Sequence, residues 1–139
     1  MRIHLDTDLG GDPDDACALA MLLGWPDVEI TGITTTIDPG GWRAAYVLHC
    51  LELLDRTDIP VAAGAAMSMT RRAEAMPVIG DERYWPDGIR PRPSPPGAAV
   101  DLLQRSIDGG PGWSPSGRTR TSRCSGWCAP APSPASRSW

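Results

Sequence analysis

The stretch that decides the fold runs from residue 6 to residue 23 and reads DTDLGGDPDDACALAMLL. It follows a short apolar strand predicted at Ile3–Leu5. It then passes through a glycine-rich turn into a helix predicted from Asp14 to Leu23, where apolar residues recur at helical spacing. Five carboxylates fall within the first ten residues of the stretch. Acidic side chains at the junction of a strand, a turn and a helix are typical of a ligand site at the carboxyl edge of a parallel sheet.

The residues that follow repeat this alternation of strand and helix. Val28–Thr35 is rich in β-branched residues and predicts a buried strand, and Trp42–Leu54 predicts an amphipathic helix. Ile59–Ala63 predicts a third strand, and Gly97–Ile107 predicts a third helix. The Pro-rich stretch Ala65–Pro96 predicts a long loop. We therefore expect an α/β fold with a parallel, Rossmann-like sheet and flanking helices.

The composition changes near the end of the chain, where acidic residues are lost: none follows Asp108. We predict an N-terminal part of an α/β domain at residues 1–110 and a low-complexity tail at residues 111–139, either disordered or translated out of frame. All 13 basic residues are Arg, and Lys, Asn and Phe are absent, which indicates a GC-rich gene. With GC-rich codons, reading the tail from the third base of each codon gives VTLGPHTNLAVLGL. That segment would supply a strand, a turn and a helix.

The charge and the hydropathy of the sequence limit the classes of partner that the protein could bind. The net charge of −4 excludes the basic surface that tracks nucleic-acid phosphates. No apolar run is long enough to cross a membrane, and carboxylates at Asp6 and Asp8 would not suit a signal-peptide core. We therefore expect a cytoplasmic protein whose partner is a small molecule, and neither a nucleic acid nor a membrane.

Two interpretations compete for the carboxylates. Asp12 is a good helix N-cap and Asp14 and Asp15 favour the helix dipole, so capping could explain three of the five. Capping does not explain Asp6 and Asp8, which are poor strand residues on one side of an apolar strand. Crowded carboxylates repel one another unless a cation holds them, and hard oxygen ligands suit Ca²⁺ or Mg²⁺. We therefore favour a metal site.

The stretch at residues 6–23 closely resembles the N-terminal signature of inosine–uridine-preferring nucleoside hydrolases, in a variant with a longer Gly-Gly-Asp-Pro turn. The sequence EITGITTTIDPGGWRAAYVLHCLELLDRTDIPVAAGA at residues 29–65 looks like the second strand, the helix and the third strand of that family. The reframed tail is similar to the family's Gly-Pro-x-Thr-Asn-Leu segment. The resemblance covers about residues 2–108 and implies the N-terminal part of a nucleoside hydrolase fold.

The resemblance also implies a reaction. Family members hydrolyse the N-glycosidic bond of ribonucleosides to ribose and free base in nucleoside salvage, with a calcium-bound water, and full-length members are homo-oligomers. Asp8 would bind calcium and act as the general base, Asp15 would be a bidentate calcium ligand, and Asp6 would support the metal cluster. Asp14 would hold ribose hydroxyls. Asp38 stands where the family has an Asn close to the metal and the ribose.

Family members are much longer and supply a further metal ligand and nucleobase-pocket residues from the later chain. The resemblance therefore predicts that these 139 residues are inactive alone. The loop at residues 80–88 departs from the family's form; Tyr84 and Trp85 in it either stack on a base or cover the edge of the core. His4 and His49 are predicted to be structural.

Two alternatives remain. A haloacid-dehalogenase-like, Mg²⁺-dependent phosphatase also begins with a strand and an Asp-x-Asp pair, here Asp6 and Asp8. That family prefers Thr or Val where this chain has Gly10, and the helix start at Asp14 and Asp15 is foreign to it. The second alternative is a non-catalytic, truncated remnant of a hydrolase.

Overall fold

The computed structural model describes residues 1–67 and 81–109. Three parallel strands form one sheet in the order β1-β2-β3. The strands are β1 (Arg2–Thr7), β2 (Glu29–Thr35) and β3 (Val61–Ala62), and the helices are α1 (Pro13–Gly24), α2 (Trp42–Leu53) and α3 (Ala98–Ile107). The α/β class with a parallel sheet is confirmed. Residues 68–80 of the predicted loop and the predicted tail at 111–139 lie outside the described residues.

The elements lie where the apolar periodicity predicts them, with one exception. β3 is shorter than the predicted strand Ile59–Ala63 at both ends. Pro60 has no backbone N–H to donate to a neighbouring strand, and the N–H of Ala63 donates to Ser94 Oγ at 2.8 Å. The carbonyl of Pro60 still accepts a hydrogen bond of 2.9 Å from the backbone N–H of Ile33. The third strand is therefore held to β2 from its first residues onward.

The core lies around the central strand β2. Its buried apolar side chains are Leu9, Leu19, Ile30, Ile33, Tyr46, Val47, Leu51 and Ile59. Helix α3 packs on β2 at Gly32, where the missing side chain leaves room for Leu102. Among the described residues, no helix combines the length and the apolar character that a membrane span requires.

His4 ties β1 to its neighbours through a chain of hydrogen bonds. Its Nδ1 lies 2.9 Å from Ser106 Oγ in α3, and its Nε2 lies 3.1 Å from Thr34 Oγ1 in β2. Thr34 Oγ1 donates a bond of 2.6 Å to Asp6 Oδ1. Burial lowers the pKa of His4, and the nearby Asp6 carboxylate acts in the opposite direction. Because the Thr34 hydroxyl donates to Asp6, a neutral His4 carries its proton on Nε2 and donates it to Thr34 Oγ1.

Candidate active site

A polar cavity of about 310 Å³ opens where β1 ends and α1 begins. It is bounded by the turn after β1, the first turn of α1, the start of α2 and the segment at residues 81–84. The residues that line it are Asp8, Gly11, Asp12, Asp14, Asp15, Arg43, Asp81, Arg83 and Tyr84. Five of these carry carboxylates and two carry guanidinium groups, so a ligand in the cavity would meet mainly oxygen acceptors.

Asp8 lies in the turn that follows β1, because the strand ends at Thr7. Its side chain is 50% exposed. Nη1 of Arg43 lies 3.9 Å from Asp8 Oδ2, which makes the contact an ion pair and not a hydrogen bond. The Asp8 carboxylate can therefore turn toward a ligand in the cavity.

The first turn of α1 supplies two further carboxylates, Asp14 and Asp15. Thr7 Oγ1 donates a hydrogen bond of 2.6 Å to Asp15 Oδ1 and accepts one of 3.1 Å from the backbone N–H of Leu9. Asp15 is therefore held in one orientation, whereas Asp14 is exposed and points about 100° away around the helix. Asp12 occupies the N-cap position, but its side chain makes no capping hydrogen bond. Capping therefore does not account for the Asp12 carboxylate.

The wall of the cavity opposite α1 is a short 3₁₀ helix, Asp81–Tyr84. It approaches the turn after β1 so closely that a Cβ on Gly10 or Gly11 would collide with the Asp81 carboxylate. Glycine at both positions is what permits this approach.

The two aromatic residues of this wall have different surroundings. The ring of Trp85 stacks on Tyr46 with centroids 4.4 Å apart and planes 4° from parallel. Its Nε1 donates a hydrogen bond of 3.0 Å to the carbonyl of Gly10. Tyr84 is 58% exposed and lines the cavity, with the guanidinium of Arg83 4.7 Å from its ring centre. Trp85 therefore covers the edge of the core, and Tyr84 is the aromatic side chain available to a ligand.

Residues 3–115 match the profile of the inosine-uridine preferring nucleoside hydrolases. The matched stretch contains every residue that lines the cavity. The chain belongs to this family. The predicted membership is confirmed, and the match favours a hydrolase over the alternative phosphatase.

Individual hydrolases of the family are also similar to the chain. The pyrimidine-specific ribonucleoside hydrolases RihA of Salmonella enteritidis and Salmonella gallinarum are each 33% identical over 116 residues, which cover 77% of this chain. The RihA of Salmonella schwarzengrund is similar to the same extent. The chain spans 35% of the length of these relatives.

Two of the site residues predicted from the hydrolase resemblance lie outside the cavity lining. Asp6 accepts the hydrogen bond from Thr34 on the neighbouring strand. Asp38 is 2% exposed and accepts hydrogen bonds from Thr35 Oγ1 and from the backbone N–H groups of Arg43 and Ala44. It thereby caps the first turn of α2.

Two residues that the sequence analysis missed are Arg43 and Asp81. Both line the cavity, and Nη2 of Arg43 lies 3.6 Å from Asp81 Oδ2. Arg43 had a detectable signal, since it is a charged residue directly before the apolar Ala44 and Ala45 of a predicted helix. Asp81 had no local signal, because only the tertiary fold brings it to the turn after β1.

The resemblance to this family implies a calcium ion, and the oxygen atoms that line the cavity can be compared with the ligands that calcium prefers. Asp8, Asp14 and Asp15 offer the hard oxygen ligands that Ca²⁺ prefers. One buried oxygen, Asp81 Oδ2, has no hydrogen-bond partner within the part of the chain that the structure describes. Over residues 1–67 and 81–109, no group of three or more His, Cys, Asp or Glu side chains is placed to hold a metal ion. The type of donor therefore suits a hard cation, but the described residues alone do not form a metal site.

Proposed function

We propose that this chain forms part of a site that hydrolyses the N-glycosidic bond of ribonucleosides to ribose and free base. The observation that carries the proposal is the convergence of Asp8, Asp14 and Asp15 on one cavity inside the segment that matches the family. Carboxylates around a sugar ring favour the positive charge that develops there when a glycosidic bond breaks.

Asp8 is the proposed general base. A general base has to reach the water whose proton it removes, and the Asp8 side chain is 50% exposed at the cavity. Its only ion pair among the described residues, with Arg43, is long at 3.9 Å. Asp8 therefore keeps an oxygen that can accept a proton from an attacking water.

Asp15 and Asp14 have complementary proposed roles. The hydrogen bond from Thr7 holds Asp15 in place, as a calcium ligand requires, and Asp8 would share that ion. Calcium, when bound, would polarise the ribose hydroxyls and make the attacking water more acidic. Asp14 is exposed at the cavity and would accept hydrogen bonds from ribose hydroxyls. A metal contact of Asp6 and a ribose contact of Asp38 stay predictions.

The proposed substrates are ribonucleosides, and pyrimidine nucleosides are the first to test because the similar relatives are named as pyrimidine-specific. Tyr84 supports a nucleoside ligand, since it offers an exposed aromatic ring beside the carboxylates. Cytoplasmic location, a salvage role, homo-oligomeric assembly and the out-of-frame origin of residues 111–139 stay predictions.

We also propose that the 139-residue chain alone releases no measurable base from uridine, cytidine or inosine in the presence of Ca²⁺. The carboxylates of the cavity would supply part of a coordination shell, and the relatives, of which this chain spans 35%, would supply the rest from their later residues. The alternative of a non-catalytic remnant predicts the same inactivity. The two interpretations separate only when the chain is placed in a full-length context.

The test is a chimera in which residues 3–115 replace the matched segment of the Salmonella enteritidis relative. The chimera should hydrolyse uridine in the presence of Ca²⁺, as measured by chromatography of released uracil. Asp8→Asn should lower kcat about 10³-fold, as expected for loss of a general base. Asp27→Asn, which removes an exposed carboxylate outside the cavity lining, should leave kcat unchanged. A folded but inactive chimera would favour the remnant, and an active Asp8→Asn chimera would remove Asp8 from the base role.

A further inference from the structure

Arg43 is a buried cation at the edge of the carboxylate cavity. It is the second residue of α2, and its side chain is 10% exposed. Nη1 lies 3.9 Å from Asp8 Oδ2 and Nη2 lies 3.6 Å from Asp81 Oδ2. The guanidinium therefore stands between two carboxylates that belong to distant parts of the chain.

Two hydrogen bonds and the close approach of a neighbouring turn hold Arg43 in place. Its Nε donates a hydrogen bond of 2.9 Å to the carbonyl of Ile37. The backbone N–H of Arg43 donates one of 2.8 Å to Asp38 Oδ1. The turn after β1 packs against it so closely that a Cβ on Gly10 would lie 2.9 Å from Nη1. Backbone and side chain are both held, so the charge stays at the cavity.

The two ion pairs of Arg43 are weaker and less directional than its hydrogen bonds. At 3.6 and 3.9 Å they are longer than hydrogen bonds, so they attract without fixing the carboxylates. A buried guanidinium still needs a negative partner, because an unpaired buried charge is strongly unfavourable. Asp81 can remain that partner when Asp8 turns away.

We propose that Arg43 is a positioning residue that attracts Asp8 while the cation site is empty and competes with the divalent cation for the Asp8 carboxylate. The inference rests on the proposed function, since it takes Asp8 as a ligand of that cation. Two positive charges next to one carboxylate repel each other. Cation binding therefore shifts Asp8 away from Arg43 and leaves Arg43 paired with Asp81.

The first test is the affinity of the full 139-residue chain for Ca²⁺, measured by isothermal titration calorimetry. Arg43→Gln removes the competing charge, and Ca²⁺ should bind roughly tenfold tighter than to the wild-type chain. Arg43→Lys keeps the charge and should bind within about threefold of wild type. A purely structural role predicts the opposite for Arg43→Gln, namely weaker binding. Thermal unfolding shows whether each variant is folded.

The second test does not depend on the stability of an Arg43 variant. Asp81→Asn takes away the other partner of Arg43, which should then hold Asp8 more strongly and weaken Ca²⁺ binding. Glu82→Gln is the matched control, because Glu82 is the exposed neighbour and no ion pair joins it to Arg43 within the described residues. Asp81→Asn should bind Ca²⁺ several-fold more weakly than Glu82→Gln.

Either of two results would overturn the inference. One is a folded Arg43→Gln chain that binds Ca²⁺ as weakly as wild type or more weakly. The other, which decides if Arg43→Gln does not fold, is equal affinity in Asp81→Asn and Glu82→Gln. In both cases, wild-type binding that Asp8→Asn abolishes would leave the proposed function standing. Absence of Ca²⁺ binding in every variant would remove both the inference and the calcium site.

Discussion

Two aspartates follow neighbouring strands at the same edge of the sheet, and the protein uses them in opposite ways. Asp38, after β2, is 2% exposed and accepts hydrogen bonds of 2.7, 2.8 and 3.0 Å from Thr35, Arg43 and Ala44. Asp8, after β1, is 50% exposed and has an ion pair of 3.9 Å with Arg43. Residue type and place in the topology are nearly the same for both.

The difference lies in how fully each carboxylate is satisfied by the protein. The oxygens of Asp38 are used by the fold, so this residue stabilises the start of α2. The oxygens of Asp8 are left to solvent or to a ligand, so this residue adds little to stability and is free for chemistry. Satisfaction of hydrogen-bonding capacity therefore distinguishes a structural carboxylate from a candidate functional one at this edge.

The largest expected effect tests that contrast directly. Asp38→Ala leaves the hydroxyl of Thr35 and the N–H groups of Arg43 and Ala44 without their acceptor, and unsatisfied buried donors are unfavourable by about 1–3 kcal/mol each. We expect the free energy of unfolding to fall by about 3 kcal/mol in urea titrations of the 139-residue chain. Asp8→Ala should change it by about 0.5 kcal/mol or less. Equal losses in the two variants would contradict the contrast.

A smaller effect is expected at the contact between Trp85 and Gly10 in the turn after β1. Trp85→Phe keeps a ring against Tyr46 but removes the indole N–H that donates to the Gly10 carbonyl. We expect a loss of about 1 kcal/mol in the free energy of unfolding. Trp25→Phe, at a side chain that is 53% exposed, is the control and should have almost no effect. If both variants behave alike, the turn does not depend on the Trp85 contact.

The smallest expected effect concerns His4, which is linked to Asp6 through the Thr34 hydroxyl. Burial lowers the pKa of His4, so the unfolded chain takes up this proton at a higher pH than the folded chain does. The contribution of His4 is complete above its ordinary pKa of about 6.5 and is lost as the pH falls through the lower folded pKa. Urea titrations from pH 7.5 to pH 5 should show a smaller decline for His4→Gln than for wild type. Identical declines would exclude His4 as the source.

Much of the fold follows from local sequence patterns. The β-branched run of β2 and the helical spacing after Asp14 place these elements correctly, because burial on one or both faces imposes the pattern. β3 was placed too long, since Pro60 interrupts the ladder inside an otherwise suitable apolar segment.

The candidate site is less fully encoded in local patterns. Asp8, Asp14 and Asp15 could be predicted from the crowding of charge in one turn, and the structure brings them to one cavity. Asp81 could not, because its place depends on how the 3₁₀ helix packs against that turn. Arg43 stood out as a charge beside apolar helix residues, but its contact with Asp8 depends on how α2 packs. Sequence patterns describe which face of an element is buried, and they do not describe which distant charge meets it.

We expect the hydrogen bond between Trp85 and Gly10 to form late in folding. It joins residues 75 positions apart, whereas the bonds that cap α2 join residues 5 and 6 positions apart. Closing a longer loop is entropically more demanding, so the α2 cap can form early and the cavity wall only after most of the chain is in place. During synthesis, the carboxylates of α1 would leave the ribosome well before residues 81–85. A nascent chain would therefore expose its acidic turn to solvent ions before it has a cavity.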